Sequence, residues 1–225
     1  MKEDLVKNLK KRVIVLIDAA NLEKSLEDVK SPMPKRFYKG MIWKNKIEKY
    51  NVDYEKLYNF FSKNCELVDI TFYTANFGTV SYNGFLTKLK SIGYKLVTKD
   101  IKYIHEYKPF IYKSCKFCHT KNKLDTSFKC EKCGKLNDIP VRKKADVDVE
   151  IAVDATSRIA KCDTFVLFSG DSDYRYLLEY LKKVGKRTVV IYRRGHISDE
   201  LTSVDTDFSI DIFKLRDEFL IKTAI

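Results

Sequence analysis

Two Cys-x-x-Cys pairs, Cys115-Lys-Phe-Cys118 and Cys130-Glu-Lys-Cys133, stand eleven residues apart in this chain. Each pair makes a tight knuckle that offers two thiolates to one ion, and Gly134 supplies the backbone freedom that the second knuckle needs. The layout is that of a compact zinc ribbon, with His119 as a substitute ligand and a redox pair as the competing chemistry. Four thiolates leave no coordination position for water, so Zn²⁺ at this place is expected to be structural, and any reaction has to be sought elsewhere. Lys113, Lys116, Lys121, Lys123, Lys129, Lys132 and Lys135 surround the cysteines, either to grip a phosphate backbone or as a solvated face.

The second chemical signal is a set of carboxylates. Asp18 ends the apolar run Val13-Ile-Val-Leu-Ile17, and Asp171 and Asp173 follow the apolar run Thr164 to Phe168 within Ser169-Gly-Asp-Ser-Asp-Tyr174. In an open parallel sheet both runs would release these side chains at the same edge, where ligands bind. Asp148, near the start of a predicted helix, can point at them if the two strands are neighbours. Like charges so close would raise one another's pKa unless a cation sat among them, and hard divalent ions such as Mg²⁺ or Mn²⁺ take oxygen ligands of this kind. A plainer reading makes Asp171 and Ser172 helix caps. It accounts less well for Asp18, because a carboxylate at the mouth of a core is costly without a partner. Asp146, Glu150 and Asp154 recur at intervals of four and fit the polar face of a helix, with Asp154 able to join a second layer around the site.

The elements that must position these groups follow from the apolar pattern. Strand-length runs occur at Arg12 to Ile17, Val68 to Thr74, Tyr94 to Thr98, Thr164 to Phe168 and Thr188 to Tyr192; helix-length patterns lie at Tyr54 to Lys63, Tyr82 to Ile92, Val147 to Ala160 and Tyr174 to Val184. The alternation predicts an α/β fold with a mostly parallel sheet and helices on both faces. Lys30 to Tyr50 breaks the pattern with Lys35, Arg36, Lys39, Lys44, Lys46 and Lys49 among Phe37, Tyr38, Trp43 and Tyr50. It reads as an irregular insertion, either a solvated loop with docked aromatics or a flap that contacts nucleic acid. Cys65 and Cys162 fall in apolar surroundings and read as core residues.

With 225 residues, 44% of them hydrophobic, the chain can bury a core without disulfides, and the paired cysteines suit a reducing compartment. The run Val13 to Ile17 is too short for a signal-peptide core or a membrane span, so the expected location is cytoplasmic. The net charge of +12 favours an anionic partner. It is unevenly spread: residues 1–145 carry 31 basic and 16 acidic side chains, residues 146–225 carry 12 and 15.

Three blocks taken together, Val13-Ile-Val-Leu-Ile-Asp-Ala-Ala-Asn-Leu22, Asp146-Val-Asp-Val-Glu-Ile-Ala-Val-Asp-Ala155 and Asp163-Thr-Phe-Val-Leu-Phe-Ser-Gly-Asp-Ser-Asp-Tyr174 with Gly185-Lys-Arg-Thr-Val-Val-Ile191 behind it, resemble the NYN domain, the LabA-like branch of the PIN-like nucleases. The resemblance implies a Rossmann-like three-layer fold over residues 10–213, interrupted by a zinc ribbon at 112–140 and followed by a C-terminal extension at 214–225. It implies cleavage of RNA, single-stranded or structured, dependent on Mg²⁺ or Mn²⁺ held by Asp18, Asp148, Asp171 and Asp173. Asn21 would stand beside the cluster, Ser169 at its edge, and Asp154 at the second acidic position of the helix motif. Asp146 departs from the pattern, which usually has Gly there, and the ribbon and the basic insertion are additions to it. Lys143, Lys144, Arg175, Arg193 and Arg194 flank the acidic blocks as candidates for neutralising substrate phosphates, or as ordinary surface charge. The alternative function is a non-catalytic RNA-binding or adaptor protein with a vestigial acidic site. A homodimer is compatible with the sequence. Kinase or ATPase chemistry lacks its Gly-x-x-x-x-Gly-Lys loop, and a haloacid-dehalogenase type phosphatase would need Asp-x-Asp where this chain has Asp18-Ala-Ala-Asn.

Overall fold

The five predicted strands form, and a sixth joins them. They are β1 (Arg12–Asp18), β2 (Glu66–Asn76), β3 (Lys95–Asp100), β4 (Thr164–Phe168), β5 (Arg187–Tyr192) and β6 (Phe208–Asp211), in the order β6-β5-β4-β1-β2-β3 across one sheet. The pairs β1–β2, β1–β4, β4–β5 and β5–β6 are parallel. No apolar run announces β6, which is four residues long and buries only Ile210 and Asp211. The computed structural model describes residues 2–26, 29–30, 47–105, 112–123, 130–135 and 141–223. Most of the basic aromatic insertion, residues 31–46, lies outside them.

Strand side chains alternate between the two faces of a sheet, and the continuous apolar runs serve both. Val13, Val15 and Ile17 of β1, Val166 and Phe168 of β4, and Val189 and Ile191 of β5 enter one core. Helices α1 (Lys2–Asn8), α2 (Ala19–Leu26), α3 (Tyr54–Asn64) and α4 (Val80–Ile92) cover that face, through Leu5, Leu22, Leu57, Phe61 and Leu89 among others. The intervening residues Ile14, Leu16, Phe165, Leu167 and Val190 enter the second core, beneath α5 (Asp148–Ser157) and α6 (Arg175–Lys183). Each such aliphatic side chain contributes about 1.5–3 kcal/mol on burial.

The helices that follow β1 lie on the first face and the helix that follows β4 lies on the second. Since β1 and β4 are neighbours, the crossovers part between them, and the crevice beyond their carboxyl ends is where an open α/β sheet receives ligands.

Residues 214–223, part of the stretch set apart on sequence, are continuous with the body. Leu215, Phe219 and Leu220 are buried in the first core, Phe219 meets Phe60 edge-on at 5.0 Å, and strand Leu220–Thr223 pairs antiparallel with Ile47–Val52. The spacing of Leu215 and Phe219 by one helical turn, with no Gly or Pro between, carries the chain back to the core.

The chain divides into two units, residues 1–99 with 146–225, and residues 100–145. In the second, Lys102–His105 pairs antiparallel with Val141–Lys144, and Tyr112–Ser114 with Lys121–Lys123.

One ion cluster fixes α5 on the sheet. Arg158, just past the helix, donates from Nη1 to Asp69 of β2 at 2.8 Å and from Nη2 to Asp154 at 2.8 Å and to the Tyr73 hydroxyl at 2.7 Å, while Tyr73 donates to Asp154 at 2.7 Å. Burial would push the Asp69 carboxyl up, but Lys95 and Arg158 together hold it below the usual range. Removing one partner from such a cluster strands the other's charge. Arg158→Met should therefore cost about 3 kcal/mol, read from urea unfolding at pH 7. A loss below about 0.5 kcal/mol, the level of an exposed pair, would contradict this account.

Candidate functional site

Asp18 is the last residue of β1 and is only 4% exposed, so its carboxylate has little water and must find donors. The Asn21 amide N–H donates to Oδ1 at 3.1 Å, and the hydroxyls of Ser169 and Tyr174 reach Oδ2, each at 3.2 Å. Asn21 in turn accepts the Gly170 N–H at 3.0 Å, which ties the turn after β1 to the turn after β4. Burial raises the Asp18 pKa, the three donors pull it back, and the charge of Asp171 adds to the rise.

The turn after β4 is shaped by its glycine. A β-carbon at Gly170 would collide with the His196 carbonyl, and the Gly170 carbonyl accepts the Ser198 N–H at 3.0 Å. Beyond it the Ser169 hydroxyl accepts from the Asp171 N–H at 3.2 Å, and Asp171 Oδ1 accepts from the Asp173 N–H at 3.2 Å, capping a short 3-10 turn at Ser172–Tyr174. The helix-cap reading of Asp171 thus holds together with its place beside Asp18.

Tyr174 is the residue that sequence reasoning missed. Its ring is buried in the second core and its hydroxyl lies 2.6 Å from Asp148 Oδ1 as well as 3.2 Å from Asp18 Oδ2. A buried tyrosine hydroxyl needs a polar partner, and its position directly after Asp173 was the available signal. Asp146, read on sequence as part of the helix's polar face, lies before the helix begins at Asp148. Burial, a hydrogen bond with Asp146 and the charges of Asp146 and Asp18 push the Asp148 carboxyl up to about 7, against the pull of Tyr174.

The structure therefore gathers Asp18, Asp148 and Asp171, with Asn21 and Ser169 bracing them. Asp173 is exposed on the same turn. Asp154 does not join them: it is spent on Arg158 and Tyr73, because a helix turn and a half separates it from Asp148. Arg193 is also committed, to Asp211 at 3.0 Å and over the Phe213 ring at 4.1 Å. Arg175 pairs with Glu179 at 2.8 Å on an exposed helix face, and Arg194 is exposed in the turn after β5. Lys143 and Lys144 lie on the strand Val141–Lys144 of the second unit, with side chains outside the described residues.

In that second unit the four cysteine sulfurs lie within 4.8 Å of one another, with Cys115 and Cys133 at 3.5 Å and Cys118 and Cys130 at 3.5 Å. Tetrahedral zinc with Zn–S near 2.3 Å requires sulfurs about 3.8 Å apart, so the donor set fits that ion. The two knuckles repeat one backbone pattern. His119 and Gly134, each the residue after a pair, have φ of 57° and 69°, and each N–H returns to the first cysteine's carbonyl at 2.8 Å. His119 thus serves the turn. Buried Asn122 joins the knuckles, donating to Cys130 Sγ at 3.4 Å and accepting from the Glu131 N–H at 2.8 Å. Among the described residues these thiols are the one group of three or more ligand-type side chains close enough to enclose an ion directly, and the carboxylates stand wider apart.

Comparison with known proteins bears on the family and the fold. The family model of the NYN domain matches residues 12–213. A similar curated protein is the low amplitude and bright protein LabA of Synechococcus elongatus, 27% identical over 173 residues that span 76% of this chain and 77% of the relative. A crystal structure of a protein of unknown function from Vibrio parahaemolyticus has the same fold, with a TM-score of 0.58 at 20% identity over 95% of this chain and 98% of that one.

Two measurements bear on the site. The unfolded chain gives up the Asp148 proton near the ordinary carboxylate value while the folded chain keeps it to about pH 7, so magnesium-free protein should lose stability as pH rises from 4 to 7 and level off above that. Asp148→Asn should remove that slope and raise stability at pH 8 by about 1–2 kcal/mol, allowing for the screening of a half-exposed group. For the thiols, mass spectrometry of reduced protein should find one zinc per chain, and Cys118→Ser should lose most of it.

Proposed function

The chain belongs to the NYN domain family, and from that starting point we propose that it is a ribonuclease that uses Mg²⁺ or Mn²⁺ at the Asp18–Asp148–Asp171 edge, with a zinc ribbon in its second unit. NYN domains are part of the PIN-like nuclease superfamily, which gives the class of reaction. The observation that carries the reading to this chain is the pair of acids at the parting of the crossovers, buried Asp18 and half-buried Asp148, both with raised pKa and both on one tyrosine hydroxyl. Acids whose charged form folding disfavours, at the edge where such sheets bind ligands, support the reading of a site kept for a cation.

A bound divalent ion would acidify a water and draw charge from the scissile phosphate. Asp18 and Asp171 would be its fixed ligands, since Asp18 is oriented by a backbone N–H and two hydroxyls, and Asp171 by the Asp173 N–H, before anything binds. Asp148 would surrender its proton on ion binding. Tyr174 would position Asp18 and Asp148 relative to each other through its hydroxyl. Asp173, exposed on the same turn, would hold ion-bound water or a second ion. Among the arginines, Arg194 and Arg175 are exposed for contact with phosphate, and Arg193 acts through its pairing with Asp211. The ribbon's four thiolates fill the coordination sphere of zinc, so its part is binding or stability.

The test is cleavage of a panel of single-stranded, structured and tRNA-like RNAs, with matching DNAs, in Mg²⁺ and in Mn²⁺. Asp18→Asn and Asp171→Asn should each lose at least about 100-fold in rate while still binding RNA, and Tyr174→Phe about tenfold. Wild type inert with both metals across the whole panel would sink the nuclease reading and favour an RNA-binding adaptor.

A further inference from the structure

The first knuckle carries an aromatic ring that its own fold does not use. Phe117, between Cys115 and Cys118, is 47% exposed and belongs to no core; the cluster inside the knuckles consists of the cysteines alone. The turn needs only the two thiols and the positive φ at His119, and Phe117 serves it through its backbone N–H, which points at Cys115 Sγ at 3.4 Å. Two cations attend the ring: Lys116 Nζ lies 5.6 Å from its centroid, and Lys135 Nζ, from the tail of the other knuckle, 4.6 Å. Lys121 and Lys132 are exposed on the same two segments.

A half-exposed aromatic ring with ammonium groups over it matches the chemistry of a nucleic-acid strand, whose phosphates draw lysines to themselves and whose unpaired bases stack on rings. A double helix hides its base faces and would gain only the lysine contacts. We propose that Phe117, with Lys116 and Lys135, is a stacking site for one unpaired base of a single-stranded nucleic acid. This site shares the nucleic-acid partner of the proposed function but does not require cleavage.

The experiment separates the two. Full-length, zinc-loaded protein carrying Asp18→Asn is titrated without added divalent cation against fluorescein-labelled oligo-U, oligo-dT and a duplex of equal length, and anisotropy is read. Added Phe117→Ala should weaken both single strands about tenfold and leave the duplex unchanged. Added Lys116→Gln with Lys135→Gln should weaken all three probes and lower the slope of log affinity against log salt by about 2. Zinc content, measured on every variant, should not change. In a second variant, Phe117→Trp, oligo-U should quench the added indole emission, which keeps the test decisive if Phe117→Ala loses its metal. Unaltered single-strand affinity in Phe117→Ala, an equal loss for the duplex, or no quenching in Phe117→Trp would overturn the proposal. Cleavage by the wild type is independent of each of these outcomes, and a stronger effect on oligo-U than on oligo-dT would identify RNA as the preferred strand.

Discussion

Mutual repulsion between carboxylates at the end of a buried sheet is the constraint around which the first unit is arranged. Asp18 sits almost out of reach of water, with Asp171 beside it and Asp148 across a shared hydroxyl. Such a group is tolerable only if every lone pair has a donor. The surroundings supply three: the Asn21 N–H at the start of α2, and the hydroxyls of Ser169 and Tyr174 on the turn after β4. None of these donors is a lysine or arginine. A fixed cation from the protein would have satisfied the charge and closed the site, whereas neutral donors hold the acids in place and leave the charge unmet.

The contrast with the Arg158 cluster makes the point physical. There Asp69 is also shielded from water, but a guanidinium lies between it and Asp154, and Asp69 is held below the ordinary carboxylate range instead of above it. Two acidic sets, both reaching α5, thus take opposite solutions. One is neutralised within the chain and works as a clamp between helix and sheet. The other has only neutral donors among the described residues.

Much of this was legible in the sequence, for identifiable reasons. The strands Arg12–Asp18 and Thr164–Phe168 announce themselves because apolar side chains on both faces leave no polar alternation, and the acids just after them needed only the adjacency of those strands to converge. The cysteine spacing carried its own geometry. The strand Phe208–Asp211 was not legible, because an edge strand with one solvated side has little apolar content to show. Tyr174 was hidden because its ring satisfies the core pattern by itself, and only coordinates reveal where the hydroxyl ends. Arg193 and Asp154 looked available because sequence proximity says nothing of a partner eighteen or more residues away, Asp211 for the one and Tyr73 for the other.

The absent side chain at Gly170 joins two stretches that look unrelated in sequence. With the His196 carbonyl lying where a β-carbon would go, and the Ser198 N–H bonded to the Gly170 carbonyl, the turn that bears Asp171 and Asp173 and the loop that bears Arg194 and His196 form a single mechanical piece. Neither can be displaced without carrying the other along. The spacing between the acids of the one and the loop after β5 is thereby set by backbone alone, and no side chain has to be chosen to keep it.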